Sequence, residues 1–361
     1  MSAPRKAAVE SAAVGQVEGA LDPTLPIVDA HHHLWHPHAE RYFTDAFQAA
    51  ILESGHKVVS TVYVECSVMY RQHGPVALRT VGEAEFVAGM AAMSDSGVFG
   101  PTCICAAYVG AADLTLGDGV DEVLDALSVA SGGRLRGIRG AANWDADASV
   151  NSGTRPLAPR GLLLDARLRA GVKRLAEQKL VYDAWQYHPQ LEELCSLADA
   201  CPNSVIVLSH CGGLLGVGPY ATSDNFNKWR ALIVEVSKRP NVLMKVGGLA
   251  GGRNGFGYHL RAAPPSVDEL VADWRPYIET CIESFGVDRC MFESNFPVDQ
   301  VAGSYQTVWN VFKRITANCS HGEKTALFAE TAKKAYRIAQ PIPDHLDPRR
   351  LSSSIMQRNT P

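Results

Sequence analysis

The 361-residue chain lacks the marks of several protein classes at once. None of its nine cysteines forms a CxxC pair, which leaves no zinc-ribbon or thioredoxin-type redox motif. They are odd in number, scattered, and mostly set in apolar runs, so we read them as buried free thiols of a reducing cytoplasm. No run of about 18 apolar residues offers a membrane span. The opening stretch, MSAPRKAAVESAAVGQVEGALDP, carries charges throughout and has no apolar core of a secretory signal. The net charge is −4 with both signs mixed, and no basic run or face suits nucleic acid. The glycine-rich GGLAGGRNGFGYHL matches neither the P-loop nor the dinucleotide fingerprint. It reads instead as a rim where backbone can approach a ligand. There is no short internal repeat and no linker-like break in composition.

What is present is alternation. Residues 1–24 read as a mobile or surface-wrapping arm and residues 340–361 as a C-terminal tail. Between them, over 25–339, apolar β-branched runs recur at about 26–31, 57–65, 101–108, 134–141, 180–186, 203–209, 240–246 and 288–294. Helical patterns separate them at 39–54, 79–95, 118–131, 164–178, 188–201, 224–238, 266–285 and 303–318, with one more at 321–338. In the fifth, Leu191, Leu194, Cys195 and Ala198 fall on one stripe. Ser266 and Glu269 have the spacing of a capping box. Strand–helix alternation predicts parallel strands with crossover helices, and near-continuous apolar strands fit helices on the outside. The count of eight favours a single (β/α)8 TIM barrel over a doubly wound α/β sheet.

Chemistry in such a barrel gathers where the strands end. The first run ends in VDAHHHLWHP. Strict alternation puts Asp29, His31 and His33 on one face, where two imidazoles can converge on one divalent cation. Later runs end near Glu65, Arg139, Gln186 with Tyr187, His210, Lys245, and Glu293-Ser294-Asn295. Each has an ordinary structural explanation. Glu65 and Lys245 can pair, Arg139 can cap a helix, and Trp185 can belong to the core. Collected at one end of an apolar barrel, they imply a shared polar site, because a buried charge without a partner is costly.

The segments VDAHHHLW, VIVLSHCGG, NVLMKVGG and RCMFESNFPVD, in this order over residues 26–338, resemble the amidohydrolase superfamily. The nearest likeness is the amidohydrolase-related branch that includes pyrone-dicarboxylate lactonase and sugar lactonases. The resemblance implies hydrolytic chemistry and maps the family's metal-binding histidines onto His31, His33 and His210. One divalent metal, Zn²⁺ first, is therefore expected, with a metal-free mechanism as the alternative. The family's Ser-Asp-Trp-Pro reads Ser294-Asn295-Phe296-Pro297 here. Asn295 cannot take a proton, though its carbonyl oxygen can coordinate or orient water. Asp299 or Glu65 is expected to supply the missing carboxylate. Arg139 is expected to clamp a substrate carboxylate and Lys245 to meet a developing oxyanion. Arg71, Arg253 and Tyr187 extend the anionic pocket. The expected activity is opening of a carboxylate-bearing lactone. Alternatives are metal-dependent decarboxylation of an aromatic or unsaturated acid, and a catalytically weakened ligand-binding barrel. The expected partner is a small anionic molecule, with no nucleic acid and no membrane. The arm and tail leave room for a homo-oligomer.

Overall fold

A computed structural model of the chain describes residues 18–35, 41–150 and 157–339. The first 17 residues of the expected arm, and the expected tail 340–361, lie outside the described residues. Strands follow the eight apolar runs: β1 Ile27–His32, β2 Val58–Val64, β3 Cys103–Gly110, β4 Leu135–Ala141, β5 Val181–Trp185, β6 Ile206–Leu208, β7 Val242–Gly247 and β8 Cys290–Glu293. They pair in chain order, every pair parallel. The end of β8 returns to β1. The Asn295 N–H donates to the His31 carbonyl (2.9 Å) and the His33 N–H to the Phe296 carbonyl (2.7 Å). The architecture is a (β/α)8 TIM barrel.

Each strand is followed by a helix: α1 Thr44–Ser54, α2 Val81–Asp95, α3 Asp121–Ala130, α4 Ala166–Glu177, α5 Leu191–Ala200, α6 Asn225–Ser237, α7 Val267–Phe285 and α8 Tyr305–Ile315. The stripe on α5 is buried throughout. The capping box of α7 is formed in both directions: Ser266 Oγ accepts the Glu269 N–H (3.2 Å), and Glu269 Oε2 accepts the Ser266 N–H (2.7 Å). The last helical pattern divides into His321–Thr325, a π-turn Ala326–Glu330, and Thr331–Tyr336. Its Ala329, Ala332, Ala335 and Tyr336 pack in one cluster with Val28, Ala30, Val62, Val64, Val181, Val207 and Met291. Residues 18–24 lie against α8. Asn310 Nδ2 donates to the Gly19 carbonyl (3.1 Å), and Lys313 Nζ to those of Leu21 (2.9 Å) and Asp22 (2.8 Å).

The structure corrects one feature of β1. The β1–β2 register shifts between Asp29 and His32. One extra residue in a strand reverses which way the following side chains point. Val28 and Ala30 join the valine cluster and Asp29 faces the other way, and the extra residue then separates His31 and His33 from the face of Asp29. Its Oδ1 accepts the Ser294 N–H (2.9 Å), and its Oδ2 accepts the hydroxyls of Ser294 (2.6 Å) and Tyr305 (2.9 Å). Burial raises the Asp29 carboxyl to about 6 despite these bonds. Asp29 ties β1 to β8 and α8.

Candidate active site

The three histidines meet. The ring centroid of His31 is 4.8 Å from that of His33 and 4.6 Å from that of His210. His33 Nδ1 lies 2.7 Å from the Val64 carbonyl, which only accepts, so Nδ1 carries the proton and Nε2 the lone pair. That Nε2 is 3.2 Å from His31 Nε2. Burial first, and then the charges of Lys245 and the neighbouring rings, hold the His31 imidazole well below its usual range. It is therefore neutral and able to offer a lone pair.

His210 reaches this cluster by an uncommon backbone. His210, Cys211, Gly212 and Gly213 all have positive φ, at 56°, 48°, 78° and 72°. A left-handed turn of this kind costs roughly 1–2 kcal/mol at each non-glycine position. Space for the ring comes from β7: a Cβ on Gly248 would sit 2.1 Å from His210 Nδ1. On the same side, His210 Nδ1 and its backbone N–H lie 2.8 and 2.9 Å from Glu293 Oε1.

Beneath His31 runs a buried ion pair. Lys245 Nζ donates to Asp183 Oδ2 (2.7 Å), and both side chains are fully buried. Asp183 also accepts from the Ser209 (2.7 Å) and Tyr336 (2.7 Å) hydroxyls. Burial drives the Asp183 carboxyl up, but the Lys245 charge and these bonds outweigh it, and the net shift is downward.

Above the histidines opens a cleft of about 450 Å³, lined among others by His33, His210, Arg139, Trp185, Tyr187, Arg253 and Asn295. The Arg139 guanidinium stands 4.9 Å from the Trp185 ring centroid, and that of Arg253 5.7 Å from Trp185 and 5.8 Å from Tyr187. Two guanidinium cations thus pack on one indole at this end of the cleft.

The amidohydrolase family model matches residues 28–338. The chain belongs to that family. It is 36% identical over 204 residues to the uncharacterized protein y4mH of Sinorhizobium fredii, which covers 56% of this chain and 61% of that one. The match thus spans less than two thirds of that relative. It is 29% identical over 245 residues to an L-fucono-1,5-lactonase of Burkholderia multivorans, covering 65% of this chain and 73% of the lactonase. An amidohydrolase from Burkholderia multivorans, solved with bound zinc, shares the fold with a TM-score of 0.67 at 22% identity over 87% of this chain and 99% of its own.

Within this amidohydrolase, the expected site residues divide by place. His33, His210, Arg139, Tyr187, Arg253 and Asn295 line one cleft, and His31 lies directly against its histidines. Asp299 does not line the cleft. It stands behind Asn295, accepting from Asn295 Nδ2 (2.8 Å) and the Ala250 N–H (3.3 Å). Burial raises its carboxyl to about 7. Glu65 supports Arg139, whose Nη1 donates to the Glu65 carbonyl (3.1 Å); the carboxylate accepts from the Ser67 N–H (3.2 Å) and the Tyr70 hydroxyl (3.4 Å). Lys245 is bound to Asp183, not to Glu65, and lies below the cleft. Arg71 sits outside it on the exposed surface, donating to Glu85 (Nε to Oε2, 3.2 Å).

Asp183 is absent from the sequence-based expectations, and Glu293 enters them only as a polar strand end with no role. Asp183 was hidden in VYDAW, where nothing names its partner 62 positions away. Glu293 had a usable signal: it is an ionisable residue closing an apolar run at the barrel mouth. The donor set fits a divalent cation. Two nitrogens about 2.0–2.1 Å from a tetrahedral zinc stand roughly 3.3 Å apart. The His31 and His33 Nε2 atoms are 3.2 Å apart. His31, His210 and Glu293 also offer donor atoms within 4.8 Å of one another.

Proposed function

We propose that this amidohydrolase opens a carboxylate-bearing lactone by adding water at the barrel mouth. The observation that carries the reading is the meeting, in one cleft, of His33 and His210, with His31 packed against both, and of two arginines packed on Trp185. His31, His33 and His210 would hold one divalent cation, Zn²⁺ first. Such a cation supplies Lewis acidity and lowers the pKa of bound water towards about 7.

The chain's own residues do the rest. Arg139, fixed by the Glu65 carbonyl and packed on Trp185, faces the substrate carboxylate with paired N–H donors. Arg253 neutralises further negative charge at the rim. Asn295 gives its amide N–H to Asp299, which turns its carbonyl oxygen to the role of accepting from a water or hydroxyl. Asp299 therefore acts by holding Asn295, and Lys245 by its charge beneath His31, not by touching substrate. The named lactonase among the relatives supports the same class of reaction for this chain.

A second reading is decarboxylation of an unsaturated or aromatic acid. It is favoured by one observation: no Asp or Glu appears among the described residues lining the cleft, so no carboxylate base faces it. The deciding experiment incubates the purified protein with carboxylated lactones of differing ring size, with and without Zn²⁺ or Mn²⁺. Ring opening with proton release is expected. Release of CO₂ from unsaturated acids, with no lactone turnover, transfers the assignment to the second reading. Turnover of neither kind refutes both.

A further inference from the structure

We propose that the glycine-rich loop after β7 clamps onto the loop after β6 and thereby presets Arg253 as the charge selector of the cleft, with Asn254 as its positioning residue. This deepens the carboxylate reading above and rests on it for what Arg253 meets.

The two loops meet backbone to backbone. The Gly216 N–H donates to the Arg253 carbonyl (2.8 Å), and Asn254 Nδ2 donates to the Leu214 carbonyl (3.1 Å). The Asn254 N–H closes back on its own loop, at the Gly251 carbonyl (2.9 Å). Two consecutive residues, Arg253 and Asn254, are thus tied to the neighbouring loop. Glycine permits the approach. A Cβ on Gly216 would collide with the Asn254 carbonyl oxygen, and one on Gly255, at a φ of 89°, with the Gly216 carbonyl oxygen. Both obstacles are backbone atoms, which cannot swing aside. Gly251 leaves room for Asn254 Oδ1, which would lie 2.9 Å from a Cβ there.

What the clamp holds is an uncompensated cation. Arg139 and Arg253 both line the cleft and both pack on Trp185. They differ in what balances them. Arg139 is buried, with Nη1 4.0 Å from Glu65 Oε1 and donating to the Glu65 carbonyl. Arg253 is half-buried and makes no ion pair with any described residue. Its guanidinium lies over the rings of Trp185 and Tyr187, and no Asp or Glu is among the described residues that line the cleft. A partly desolvated guanidinium facing aromatic rings takes an anion as its natural partner. Arg139 therefore supplies directed donors, and Arg253 supplies net charge. A side chain whose backbone is set before the ligand arrives also loses less freedom on binding.

The test measures binding of benzoate and benzamide, which share a planar ring and differ in charge, to the full chain by isothermal titration calorimetry. A chelating buffer keeps the carboxylate from being read at a metal. The wild type should prefer benzoate by about tenfold or more, the worth of a hydrogen bond to a charged group. Arg253→Met should remove most of that preference, and Arg253→Lys, which keeps the charge, should recover part of it. Asn254→Ala and Gly216→Ala leave Arg253 in place and loosen or wedge the clamp. Each should lower the preference by about twofold to tenfold, the cost of ordering one long side chain. A wild type without preference, including one that binds neither probe, overturns the proposal. So does an unchanged preference in Arg253→Met, which would place the selection on Arg139. An unchanged preference in Asn254→Ala overturns the clamp. If Gly216→Ala does not fold, Asn254→Ala still decides, since it removes a single hydrogen bond at the rim. Neither probe is a lactone, so a failed lactone assay leaves this result standing.

Discussion

Asp183→Asn removes the negative half of a pair that has no access to water. Both side chains are 0% exposed and the N–O distance is 2.7 Å. The substitution leaves the Lys245 ammonium inside the barrel facing a neutral amide. Breaking one side of a buried pair costs about 3–5 kcal/mol, chiefly because the remaining charge has lost its compensation. The surface pair Lys228–Asp224, with side chains 68% and 59% exposed, sets the scale for contrast. Solvent-screened pairs contribute about 0–1 kcal/mol. Urea unfolding followed by tryptophan fluorescence should therefore show Asp183→Asn, and separately Lys245→Met, each losing about 3–5 kcal/mol. Asp224→Asn should stay within about 0.5 kcal/mol of wild type. The double variant Asp183→Asn/Lys245→Met should lose less than the two single losses combined, since neither charge is stranded. Single losses below about 1 kcal/mol, or strictly additive ones, refute the claim that this pair is buried and coupled.

Gly248→Ala puts a methyl 2.1 Å from His210 Nδ1 at a φ of 64°. It should cost about 1–2 kcal/mol of stability and weaken Zn²⁺ binding measurably by calorimetry, with unchanged circular dichroism. Arg139→Ala should raise KM for a carboxylated substrate about tenfold to a hundredfold, the worth of a charge-assisted hydrogen bond. Arg71→Ala should leave KM unchanged, because that side chain pairs with Glu85 outside the cleft. His188 is buried and held down to about 4, and its Nδ1 accepts the Leu215 N–H (3.1 Å). The unfolded chain takes this proton near pH 6.5, the folded one only near 4. Stability should thus fall as pH drops from about 6.5 towards 4 and then level off. His56, also lowered to about 4, adds to that slope. His188→Gln should flatten part of it in denaturation curves taken across this range.

The barrel was legible because its signals are local and repeated. Apolar runs at strand length, helical stripes and one capping box each report on a few neighbouring residues, and eight repeats leave little choice of topology. The histidine cluster was legible for a related reason: strand ends of a parallel barrel share one rim, so His31, His33 and His210 meet wherever the loops go. What escaped depended on register or on distant partners. The bulge in β1 falls after Asp29 and takes His31 and His33 off its face, leaving Asp29 on Ser294 and Tyr305 where alternation alone assigns it to the histidines. Lys245 found Asp183 and not Glu65, because β5 presents a carboxylate in the same layer. Asp299 lies four positions past Asn295, close enough to hold its amide but set back from the cleft. Arg71 looked like a loop arginine aimed at substrate, and a surface glutamate took it.

Anomalous scattering at the zinc absorption edge, from crystals grown with Zn²⁺, tests the histidine site most directly. The account predicts one peak bonded to Nε2 of His31, His33 and His210 at the floor of the cleft. A map with no peak there, or with zinc only at other residues, contradicts it.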